Sequence, residues 1–468
     1  MAGLTCVSYV RATPAEAHGL VQRADLPIPE WLFGWAAAIV LVVSFGALAV
    51  LWTQPRLESA GWKPLPGPLG RVPASRPLEM ALGALGAATL AVVVWAGYAG
   101  PIGPQDNLAP TFILVIVWVG FVFASVLLGD VFRAVNPWRA VGRATGVLVS
   151  RLRSGRPFSH RRYPRRLGRW PAAAGLLVFA WIELASTWSD EPRTLVTATL
   201  TYTVITLAAM AVYGTETWVR NGEAFGIYFN LFSRLSVFET RERTLGVRPL
   251  LAGLPRMESQ PGTVAVVAVM IGTVSFDGLS QGTLWRELAV DFNGRLASLG
   301  VAPEQAPRLT DTAGLALGVA AIAAFYVVGI AGARSVGGSL GARNLRTGFI
   351  HSLVPIAMVY VAAHYLTYLI FQGQAIAYLA SDPIGRGWDL FGTASSAIDY
   401  GVISQNATWY AQVSLVVCGH VAALVLAHDR ALVLYGEARV AVCSQYWMLG
   451  IMVGFTTFAL WLLAQANE

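Results

Sequence analysis

Ten runs of roughly 20 apolar residues divide this 468-residue chain, and no water-soluble fold accommodates so many. A helix needs about 20 such residues to cross about 30 Å of hydrocarbon, at ~1.5 Å rise per residue. Inside lipid the backbone must satisfy its own hydrogen bonds, and runs of this length do so as helices. The runs cover roughly 31–52, 78–98, 109–129, 170–189, 194–213, 261–280, 312–333, 347–372, 409–428 and 446–464. The expected fold is an all-α, polytopic transmembrane helical bundle of about ten spans.

Charge supports that division. Only 13% of residues are charged and 55% are hydrophobic, against about 25% charged in a soluble domain. All 33 Lys and Arg residues fall between the runs, so none is stranded in lipid. They also alternate: segments 53–77, 130–169, 214–260, 334–346 and 429–445 carry 4, 11, 6, 3 and 2 of them, and all the remaining segments together carry 7. Basic loops mark the cytoplasmic side, so both termini are expected outside. The net charge of +7 therefore speaks of orientation among membrane lipids, not of a nucleic-acid partner. Cys6, Cys418 and Cys443 suggest neither a disulfide framework nor a zinc cluster.

Residues 1–30 read as an external tail and 31–468 as a single membrane domain. The loop 130–169 holds eleven Arg against one Asp and is expected to anchor on anionic headgroups. In 214–260, "EAFGIYFNLFSRLSVFETRER" spaces Phe225, Phe229, Phe232 and Leu235 helically beside Arg234, Arg241 and Arg243. This predicts an amphipathic helix lying in the interface.

Two spellings suggest chemistry but have simpler explanations. "GGSLG", Gly337 to Gly341, matches a nucleophile elbow around Ser339, yet that device needs a strand turning into a helix, and here it sits between two spans. Gly314 and Gly318 form a G-x-x-x-G that predicts close helix packing.

Ionisable residues inside the runs carry more information, because burying one in lipid costs at least a few kcal/mol. They are Glu183 in "FAWIELASTW", Asp277 in "TVSFDGLSQ", His364 in "YVAAHYLTYL" and His420 in "VVCGHVAALVLAH". With the topology above, Glu183 and Asp277 fall within about 10 Å of the outer helix ends. His364 lies slightly deeper and His420 nearer the midplane. Imidazole and carboxylate together are ligands for a divalent transition metal, able to activate water; they equally suit a proton relay or solute path. Tyr360 and His364, four apart, are expected to share a helix face.

The stretches "HGLVQRADLPIPEWLFGWAAAIVLVVSFGALAVLW", "PRLE" and "GDVFRAVNPWRA" resemble a group of bacterial polytopic membrane proteins called fenitrothion hydrolase, over most of the chain. The resemblance implies a bacterial cell membrane and the hydrolysis of an organophosphorus triester, a small apolar substrate, releasing a substituted phenol. It assigns no site residue.

Two functions follow. One is a metal-dependent hydrolase in which Glu183 and Asp277 are catalytic and His364 and His420 bind metal at an outward-facing cavity. The other is a transporter or metal-handling protein whose path those residues line. His18 joins the first through processing: Ala15-Glu16-Ala17 spells a signal-peptidase site. Cleavage there would leave His18 as an amino-terminal metal chelator on the same outer side.

Overall fold

The computed structural model describes residues 30–152, 160–336 and 341–465. Each apolar run is helical: α1 Glu30–Leu51, α2 Arg76–Ala99, α3 Leu108–Leu128, α4 Trp170–Ala185, α5 Pro192–Tyr213, α6 Thr263–Gln281, α7 Ala306–Ser335, α8 Asn344–His364, α9 Gln405–Tyr435 and α10 Tyr446–Gln465. Among the described residues nine stretches are long and apolar enough to cross a membrane. α4 is shorter, with 16 residues, but its ends meet opposite faces. At its start Arg169 N–H donates to Pro261 O at 2.7 Å, beside a basic loop. Near its end Trp181 donates to Thr312 Oγ1 at 2.8 Å. The protein is an all-α polytopic bundle.

Burial separates centre from rim. In α6 and α8 the apolar stretch is 78% and 83% buried, against 22% in α1, α2 and α5, so α6 and α8 are the core onto which the others pack. The α6–α7 contact depends on glycine. A Cβ on Gly272 would lie 2.6 Å from Val319 Cα, and one on Gly314 2.3 Å from Phe276 and Trp285. The G-x-x-x-G of α7 is thus a packing surface. Ser339 of the neighbouring loop lies outside the described residues.

The basic loops meet on one face. β1 Lys63–Pro64, β2 Phe238–Arg241 and β3 Thr244–Val247 form an antiparallel sheet in the order β1-β3-β2, with Lys63 opposite Val247. The β2–β3 turn holds Glu242 and Arg243 at φ 46° and 61°, the left-handed pair of a two-residue hairpin turn. Nearby, Arg139 binds Glu79 at 2.6 Å and Glu216 at 3.0 Å, and Arg143 binds the same two carboxylates at 2.9 and 2.7 Å. Segments separated by spans are therefore sewn together on the side where the charge alternation puts them. α1 and α10 run antiparallel, with Gly34 beside Thr457 and Phe45 beside Tyr446. Their free ends share the opposite face.

One expectation is corrected. The segment Ala224–Ser233 is helical but does not lie in the interface: Tyr228, Phe229 and Phe232 are fully buried against α3 and α4. Its apolar residues surround the helix, as befits one buried on all sides. Its N-terminus is satisfied without water. The Glu223 carboxylate accepts from Phe225 and Gly226 N–H at 3.0 and 2.8 Å, from Asn136 at 2.8 Å and from Tyr202 O–H at 2.7 Å.

Candidate functional site

Three spans end close together on the face opposite the basic loops, and each brings one ionisable side chain. Asp277 in the last turns of α6 is 1% exposed. Its Oδ2 lies 2.9 Å from His364 Nε2 and accepts the Tyr365 O–H at 2.6 Å. With Asp277 ionised its carboxylate can only accept, and the shared proton then sits on His364 Nε2, leaving Nδ1 as the basic nitrogen. Glu183, near the end of α4, interacts electrostatically with Asp277 and with the phenols of Tyr228, Tyr365 and Tyr368. It accepts no hydrogen bond from any described residue.

Backbone irregularity puts these groups where they are. α8 breaks at Tyr365, whose φ of −97° and ψ of 14° interrupt the helix before it resumes as Leu366–Gln372. The break turns His364 and Tyr365 together onto Asp277. Across from it, Thr111–Gly120 of α3 is π-helical, a winding that recurs at functional sites. Trp118 from that stretch stacks on Tyr228 with centroids 4.7 Å apart and planes 9° from parallel. The Tyr228 hydroxyl is buried and meets no hydrogen-bond partner among the described residues.

Two spaces adjoin the cluster. A cleft of about 30 Å³ is bordered by Tyr360, His364, Ser275 and Gly278, which is room for a water molecule. Tyr360 and His364 thus face one space, as their spacing implies. Beyond Ser275, which borders both, lies an apolar groove of about 950 Å³ between α7 and α10, walled by Phe276, Leu317, Phe325 and Phe458.

Of the residues singled out from the sequence, Glu183, Asp277 and His364 come together. His420 does not join them. It lies fully buried on α9, where Nδ1 meets Val416 O at 2.8 Å, and its ring is 6.2 Å from that of Tyr360. His18, with its processing motif, lies outside the described residues. Tyr228 was missed because its helix reads as interfacial; Tyr365 is visible only as an aromatic neighbour of His364.

Among the described residues no group of three or more His, Cys, Asp or Glu side chains has metal-holding geometry. In this arrangement Asp277 Oδ2 and His364 Nε2 bond to each other. No protein-family model, curated protein or solved structure matches the chain.

Proposed function

We propose that this protein is a membrane-embedded hydrolase of small apolar esters, of the organophosphorus triester class that the resemblance implies, acting in a bacterial cell membrane. The observation that carries the reading is the Asp277–His364 pair, opening on a water-sized cleft that adjoins an apolar groove. An apolar ester would enter the groove from lipid and bring its phosphorus toward the cleft. The basic Nδ1 of His364 takes a proton from water as the water oxygen bonds to phosphorus, and Asp277 holds the ring and stabilises the imidazolium.

Breaking the phosphorus–aryloxide bond calls for a proton on the departing oxygen, a role we assign to the Glu183 carboxyl, which interacts electrostatically with Asp277. His364 then returns its proton to Glu183 through the water of the cleft. The sum is triester plus water to diester plus phenol. The Tyr228 O–H, without a partner among the described residues, is assigned as donor to the phosphoryl oxygen. No step needs a metal.

Phenol release by the purified protein in detergent tests this directly. His364→Ala and Asp277→Asn should each lower kcat about 10²- to 10⁴-fold, with activity persisting in strong chelator. No release by the wild type overturns the hydrolase reading. Activity lost to chelator and restored by a divalent transition metal replaces imidazole with metal as the activator.

One observation favours transport as a second reading. Tyr368 interacts electrostatically with Asp190 of the outer loop as well as with Glu183 and Asp277, so polar groups run inward from the surface. Solute uptake into proteoliposomes without chemical change would support it.

A further inference from the structure

The acidic partners of the basic face are unevenly shared. Arg133, Arg139, Arg143 and Arg243 are neutralised by Glu79 and Glu216, Arg241 and Arg248 by Glu239, and Arg430 pairs with Glu58. Arg334 and Arg346 have no acidic partner among the described residues. They come from different elements, the last turn of α7 and the helix Ala342–Phe349, yet both border one recess of about 370 Å³. Ser335 lies with them, and the rest of the lining is Val327, Ile330 and Ala331.

We propose that this recess binds one anionic phospholipid of the cytoplasmic leaflet, its phosphate between the two guanidinium groups and Ser335, and an acyl chain along α7. Charge complementarity selects the headgroup, since arginine forks match phosphate oxygens bidentately. The apolar floor selects a lipid over a soluble phosphate, which has nothing to set against valine and isoleucine. Depth agrees as well. Trp447 packs on Gly332, one turn from the recess, and is 54% exposed, which places the headgroup belt at this level.

Ile330 also borders an apolar furrow that continues past Tyr326 and Phe325. A single leaflet is about 15 Å of hydrocarbon, or roughly ten residues of helix. A chain seated at Arg334 therefore ends near Phe325 and leaves the outer part of the groove, beside Gly314 and Leu317, open. The lipid site is independent of the hydrolase reading.

Native mass spectrometry of the purified full chain, exchanged into phosphatidylglycerol or phosphatidylcholine bicelles, tests the proposal. The wild type should retain one phosphatidylglycerol per chain in preference to phosphatidylcholine. Each cation near an anionic surface contributes about 1 kcal/mol, roughly fivefold, so Arg334→Gln with Arg346→Gln should reduce that preference up to about 25-fold. Ala331→Trp, which fills the recess and keeps both charges, should reduce it too. The matched control Arg161→Gln with Arg162→Gln should retain it. A wild type with no preference overturns the proposal, as does an equal loss in the control. Equally tight binding of soluble glycerol phosphate would assign the site to a free anion instead.

Discussion

Tyr228 and Tyr365 are both buried phenols near Glu183, and their opposite bonding gives opposite expectations. Tyr365 donates to Asp277, and a hydrogen bond to a charged group contributes about 1.5–3 kcal/mol. Tyr365→Phe should lower thermal stability in detergent by that order. Tyr228 has no partner in the described protein, so Tyr228→Phe should leave the melting temperature nearly unchanged and cost about 10²- to 10³-fold in kcat, the usual effect of losing one oxyanion donor. A melting temperature lowered as far as that of Tyr365→Phe would make Tyr228 a structural residue. The sequence makes Glu183, Asp277 and His364 visible because ionisable groups are rare in apolar runs. It does not separate them from His420, which has the same signature. Which histidine meets a carboxylate depends on how α6 and α8 are rotated against each other, and His420 instead turns to the carbonyl one turn before it on its own helix.

At the scale of elements, spans were the most legible feature, since crossing lipid fixes both length and composition. α7 extends beyond its apolar run, to Ala306–Ser335, because polar Asp311 and Arg308 can continue a helix into the headgroup region. The break at Tyr365 and the π-helical stretch of α3 were not legible: neither contains a proline, and both arise from packing. The α6–α7 contact gives a direct test. Gly272→Leu would press a side chain on the Val319 backbone and should cost about 1–3 kcal/mol or more as overpacking. Gly46→Ala, with nothing within 4 Å, should cost little.

The basic-face network predicts a pH response. Burial pushes the Glu216 carboxyl up, but Arg139, Arg143 and Arg133 outweigh it and hold the group below its ordinary value. A depressed carboxyl stabilises the fold above its unfolded pKa, about 4.3, and loses that contribution as pH falls through the lower folded value. Melting temperatures should therefore drop below about pH 4.3, and less steeply in Glu216→Gln. An equal slope in both proteins would remove Glu216 from the account.

For the whole molecule, the antiparallel contact of α1 with α10 makes the bundle a closed circuit. Cysteines at positions 34 and 457, in a chain whose native cysteines are serine, should cross-link under mild oxidation in the folded protein. Positions 46 and 457 should not. Trp52, Arg56 and Leu57 after α1 also bond to Asp429 near the basic-loop end of α9, and among the described residues α1 packs mainly on α9 and α10. Made in order, at about 5–20 residues per second, the chain must leave α1 in lipid without its permanent neighbours for tens of seconds. Of these ten helices the one made first is the last to be enclosed, and whatever shelters it until then is as much a requirement of this fold as any contact in the finished bundle.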